Sequence, residues 1–403
     1  MATLTWLNGV VDGVIGRFRG ARSAPLAGAE LHALDAALSR AMAEGRDEDA
    51  FTLLMRLTGD GGPARGSALH HYRLGSFLAA ARPAAADAIL RAVAQFEAAA
   101  QGLTPETLTP ETLTIAAIAD GIDLMPGLSG RLPPPPTWTG AEAIDWREAR
   151  APDSDAEAGR RPLAAFAADP IYANRFIDDA LAALRRHAGA KQPVHLHLVN
   201  GDAPTAARLA KLAAADPAFG WSQQRLNPAA VRLRYETELT SYRREPILHQ
   251  CARFLVAPTL MARYAGPLLL LDIGLTLERD WSSLWRALAG ADLGLVENPA
   301  GRFDFATRFP AGVVAVNDSP GGRRFLDLIA RYLVRALYRS GAAPLMDQVA
   351  LHACFYALRA DAELERVRLL PADTLNLARR PPSPRGATLF HSDYLSLATG
   401  PSG

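Results

Sequence analysis

Leu268-Leu-Leu-Leu-Asp-Ile-Gly-Leu-Thr-Leu277 is the stretch whose reading decides the fold of this chain. Four consecutive leucines running into an aspartate describe a strand buried on both faces, the habit of an α/β sheet. The strand carries one carboxylate to its C-terminal edge, where open α/β sheets bind their ligands. Asp272 is therefore the first candidate functional residue.

Working outward, strands alternate with helices on both sides of this run. Val194–Asn200, a short segment at Val231–Arg234, Asp292–Glu297, Gly312–Asn317 and Arg366–Leu370 read as strands. Amphipathic stretches at 171–184, 203–214, 241–264, 281–288, 322–338 and 346–359 read as helices. The expected fold class is thus an α/β domain over 163–403, its sheet covered on both faces. Residues 126–162 hold Pro133-Pro-Pro-Pro136, Asp153-Ser-Asp155 and Gly159-Arg-Arg161 with few apolar residues, the composition of a linker. Residues 1–125 read as an all-α domain, with stripes at Leu31, Leu34, Leu38, Met42 and then Phe51, Leu54, Met55. Paired helices with small alanines at contact positions there resemble tetratricopeptide-type repeats, which implies a helical array able to hold a protein partner.

Composition removes several classes. The formal net charge is +1, so bulk charge gives no reason to expect nucleic acid. The only lysines are Lys191 and Lys211, neither in a P-loop context, so arginine supplies any cation offered to phosphate. Cys251 and Cys354 lie in apolar helical patterns and read as buried thiols of a reducing, cytoplasmic compartment. No apolar run is long enough to span a membrane. Leu7, Val10, Val11, Val14, Ile15 and Phe18 have helical spacing that suits a membrane surface, although docking on the chain's own domain is the simpler expectation.

Six features, in order, resemble the GT-A glycosyltransferases, particularly the glycogenin-like and bacterial galactosyltransferase-like members. They are Val194–Asn200 as opening strand, Cys251-Ala-Arg-Phe254 on a long helix and the Asp272 strand. Phe309-Pro-Ala-Gly-Val-Val-Ala-Val-Asn317, Asp347-Gln348 and Leu389-Phe-His-Ser392 follow. The resemblance implies transfer of a sugar from a nucleotide-sugar donor to an acceptor glycan, lipid or protein. It further implies Mn²⁺ or Mg²⁺ held by Asp272 and His391, donor contacts from Asn200 and Arg253, and a reaction centre at Asp347 and Gln348. The pattern departs from the family at Gly274, where the second acid of Asp-x-Asp is missing. Arg379, Arg380 and Arg385 are the candidates to replace the metal at the donor phosphates, and a non-catalytic scaffold with a degenerate donor fold is the alternative.

Asp272-Ile-Gly-Leu-Thr-Leu277 also resembles the first motif of haloacid-dehalogenase-type phosphatases, which would make Asp272 a nucleophile. That family needs a later basic residue and an acidic pair, and no lysine follows Lys211. His195 and His197 share a strand face and are expected to be packed and hydrogen-bonded rather than metal-bound. Gly321-Gly-Arg-Arg324 opens a helix that suits either phosphate or a plain helix start.

Overall fold

The computed structural model describes residues 28–58, 68–81, 95, 99, 145–147, 161–233, 244–298, 308–342, 345–360, 366–370, 374–375 and 388–392. The apolar segment at 7–18 and Arg379, Arg380 and Arg385 lie outside these residues.

The N-terminal part opens with three helices, α1 (Gly28–Ala43), α2 (Asp47–Thr58) and α3 (Ala68–Ala81). Of the stripes expected from sequence, Leu34, Leu38, Phe51 and Leu54 are buried and Met42 and Met55 partly so, whereas Leu31 is exposed. Phe51 stacks on Phe77 of α3 at 4.7 Å between ring centroids.

The rest is an α/β unit. Its elements are β1 (Asp145–Arg147), β2 (Leu163–Ala168), α4 (Pro170–His187), β3 (Val194–Val199), α5 (Ala203–Ala215), β4 (Phe219–Gln224), α6 (Arg244–Tyr264), β5 (Leu268–Leu271) and β6 (Leu275–Leu277). There follow α7 (Ser282–Ala287), β7 (Leu293–Val296), β8 (Val313–Val316), α8 (Pro320–Arg335), α9 (Met346–Ala360), β9 (Val367–Leu370) and β10 (Phe390–Ser392). The main sheet has the order β1-β4-β3-β2-β5-β8-β7-β9, with β10 pairing β6 in a separate ribbon. Its centre is parallel, and β8 runs antiparallel to both its neighbours.

The alternation along β5 shows why the sheet must be covered twice. Leu268 and Leu270 enter the cluster built with α6, α8 and α9, whereas Leu269 and Leu271 enter the one built with α4 and α7. All four are at most 1% exposed, and burying each contributes about 2 kcal/mol. Helix starts are written locally: Asp169, Asp202 and Ser319 each accept a backbone N–H as N-caps of α4, α5 and α8, with proline in the first turn.

The expected class, α/β preceded by helices, is the one observed. Several details differ. The short strand expected at Val231–Arg234 is reduced to a single bridge from Leu233 to Ala342, and β4 stands earlier, where no strand was expected. The opening strand is β2, not Val194–Asn200; Leu-Ala-Ala-Phe-Ala-Ala carries no β-branched residue and gives no strand signal, yet it sits at the sheet's centre. The Asp272 strand ends at Leu271, and a turn closed by the Leu275 N–H on the Asp272 carbonyl (3.1 Å) leads into β6. Asp145–Arg147, within the stretch expected as linker, adds an antiparallel edge strand to β4.

Candidate functional site

The topology fixes where a ligand can enter. From β2 the chain proceeds to β3 and β4 on one side and then returns through α6 to β5 on the other. Connections leaving in opposite directions open a crevice at the strands' carboxyl ends. A pocket of about 660 Å³ lies there. Its walls include Ala168 and Asp169 after β2, Asn200 after β3, Asp272 after β5, and His249 and Arg253 from α6.

Arg253 organises the floor. Its guanidinium is ion-paired with Asp272, donates to Asp347 at 2.9 Å and donates to the Ala311 carbonyl at 3.0 Å. The arginine and Asp347 side chains are 4% and 6% exposed, whereas Asp272 keeps 35% of its side chain open toward the pocket. One fixed cation therefore serves two carboxylates from different elements. Burial pushes the Asp347 carboxyl above its ordinary value, against the pull of Arg253 and the Gln348 backbone N–H. Gly312 stands beside this carboxylate: a Cβ there would be in ordinary contact with the outer oxygen of Asp272, at 3.5 Å.

Sequence reasoning missed the other end of the pocket. Asp169 takes the His249 Nδ1 at 3.0 Å and the Tyr172 N–H at 2.8 Å, one on each oxygen. Burial raises the Asp169 carboxyl, but these hydrogen bonds outweigh it and hold the group below its ordinary value. The signal was present: Asp-Pro after an apolar run marks a helix start, and His249 stands one turn before Arg253 on the same helix face. Tyr172, 41% exposed, forms part of the pocket rim.

Of the expected site residues, Arg253, Asp272 and Asn200 meet in this pocket, and Asp347 joins through Arg253. The Asn200 side-chain oxygen is engaged by the Leu226 N–H at 2.7 Å, stabilising a turn in which Asn200 has φ 52°. Gln348 is half-buried in the first turn of α9. His391 lies in β10 and is buried. It pairs across the β6–β10 ribbon with Thr276, and opposed residues share a face. Thr276 lines a separate groove with Asp179, Arg186 and Glu278.

The donor set can now be tested against a divalent cation. A hard cation takes about six oxygens. Here Asp272 has one oxygen ion-paired to Arg253, and position 274 carries no side chain. Among the described residues no group of three His, Cys, Asp or Glu could hold a metal. The donor set around Asp272, one carboxylate already paired with Arg253 and no second acid, does not fit the expected Mn²⁺ or Mg²⁺.

The remaining candidates are structural. His195 and His197 form a buried row with β4: Tyr264 Oη lies 3.1 Å from His195 Nδ1, His195 Nε2 2.8 Å from Ser222 Oγ, Ser222 Oγ 2.9 Å from His197 Nδ1, and His197 Nε2 3.3 Å from Gln224 Oε1. With Gln224 accepting through its carbonyl oxygen, every proton in the row points the same way, and both imidazoles are neutral. The helix start at Gly321 cannot take phosphate, because the Asp292 carboxylate already fills it; a Cβ on Gly321 would lie 2.8 Å from that group. As a phosphatase nucleophile Asp272 would need a free carboxylate and a lysine, whereas Arg253 holds it and no lysine lines the pocket. Cys251 and Cys354 are buried free thiols, as expected.

No family model matches the sequence, and no curated protein matches it. The solved structures found similar are glycosyltransferases. The bifunctional glycosyltransferase WbbM matches at 14% identity, TM-score 0.37, over 58% of this chain and 45% of its own. GlyE of Streptococcus pneumoniae matches at 17% identity, TM-score 0.33, over 52% of this chain and 45% of its own. The galactosyltransferase LgtC, solved with donor and acceptor sugar analogues, matches at 17% identity, TM-score 0.38, over 57% of this chain and 86% of its own. This chain thus spans less than half the length of the first two. Likeness at these scores is slight and carries no activity over by itself. No described helix is long and apolar enough to cross a membrane.

Proposed function

We propose that the chain is a glycosyltransferase of GT-A type that binds a nucleotide-sugar donor in the pocket between β2 and β5. The observation that carries this reading is the convergence of Asp272, Arg253 and Asp347, from three separate elements, at the sheet's carboxyl edge. Those are the residue types the sequence resemblance assigns to the donor. Tyr172 offers a partly exposed ring to a base at one end of the pocket, and the Arg253 cluster forms the floor at the other. In this reading Asp347 fixes Arg253 toward the donor, and Gln348 beside it contacts the transferred sugar. The acceptor is a glycan, lipid or protein. A scaffold that blocks its own donor pocket is not favoured, since no residue of α1–α3 lines it.

The test is a thermal-shift screen of nucleotide sugars, with and without Mn²⁺. A donor at about 100 times its dissociation constant stabilises the fold by roughly 2.7 kcal/mol. A melting temperature that no common nucleotide sugar moves, under either condition, rejects the reading.

A further inference from the structure

We infer that this pocket binds its nucleotide without a divalent cation held by the protein, because Arg253 already occupies the Asp272 carboxylate that would hold one. The inference rests on the donor reading above. It starts from how tightly the turn after β5 is closed: the Asp272 N–H donates to the Gly312 carbonyl at 3.0 Å, and the Leu275 N–H donates back to Asp272 at 3.1 Å. The turn therefore presents a single carboxylate, and Gly274 adds no ligand to it.

That carboxylate is already matched. Arg253 is permanently charged and cannot move away cheaply, because Asp347 and the Ala311 carbonyl hold its other nitrogen. A divalent ion at Asp272 would stand beside this guanidinium as a like charge, with one protein oxygen left to bind it. The other pocket acids are committed as well. Asp202 caps α5, Asp169 caps α4 and pairs with His249, and Glu245 stands 4.0 Å from the same imidazole. A cation there would have to share these acids with the partners they already hold.

The experiment has two independent arms. Mn²⁺ alone is titrated into the full chain and followed by electron paramagnetic resonance; the expected result is no saturable site, and one tight Mn²⁺ per chain overturns the inference. UDP and GDP are then titrated calorimetrically in Mn²⁺ and in chelator, with wild type and Gly274→Asp. The expected wild-type affinity is the same in both buffers, while the variant, its second acid restored, loses about tenfold in chelator. A wild type that loses about tenfold in chelator, just as the variant does, overturns the inference. Should neither nucleotide bind in any buffer, the donor reading falls, while the Mn²⁺ arm still decides whether Asp272 holds a cation.

Discussion

Replacing Arg253 with methionine isolates the energetics of the site floor. The side chain is 4% exposed and shared by Asp347, 6% exposed, and Asp272, 35% exposed. The two carboxylates respond differently. Asp272 rehydrates through the pocket and loses little, as partly exposed ion pairs do. Asp347 is left buried as an uncompensated charge, with the Gln348 N–H still donating to it at 2.9 Å, and removing one partner of such a pair costs about 3–5 kcal/mol. Burial already raises the Asp347 carboxyl, and losing Arg253 raises it further. The sign follows: a folded-state value above the unfolded one favours the folded state at low pH and penalises it as pH rises. The loss in R253M is therefore expected to be larger at pH 8 than at pH 5. Adding Asp347→Leu removes the stranded charge and is expected to recover most of the loss. Urea unfolding at the two pH values, followed by tryptophan fluorescence, measures all three variants. A loss below about 1 kcal/mol, or a double mutant as unstable as R253M, refutes the reasoning.

Other expectations follow from the core. Burial lowers His197 to about 4 and His195 well below its ordinary 6.5, so the unfolded chain takes up protons that the folded chain refuses. Stability is expected to fall as pH drops below about 6.5, by up to about 2.7 kcal/mol per unit for two imidazoles, and a flat urea midpoint between pH 7 and 5 contradicts this. Gly322→Ala would put a Cβ 2.1 Å from the Asn317 carbonyl and is expected to destabilise by at least about 1–3 kcal/mol; an unchanged melting temperature counts against the close approach. Ser319→Ala removes the cap of α8 and is expected to cost about 1 kcal/mol, with Ser319→Asn retaining stability.

The sequence made the sheet legible where leucine and valine runs made strands unmistakable, in β5, β7 and β8. It hid β2 because alanine favours helix and is depleted in strands, so tertiary context had to override the local preference. It could not show that β8 runs backwards, since direction is a property of connection rather than of residue type. Asp272, Arg253 and Asp347 were legible as candidates, but not their shared ion pair, because a contact between residues 94 apart leaves no periodicity. The pairing of Asp272 with Arg253 was hidden in the same way: the motif names acids without saying which already hold a partner.

The Tyr264–His195–Ser222–His197–Gln224 row has a consequence for how the sheet assembles. β2 offers β3 mostly methyl groups, which would fit equally well at neighbouring alignments. A slip of one residue would turn both imidazoles into the leucine-lined layer under α4, with four ring nitrogens facing hydrocarbon. A slip of two would keep the faces but break the relay of donors and acceptors with β4. The row thus acts as a notched key between two parallel strands: it holds them to a single alignment that their apolar neighbours could not choose.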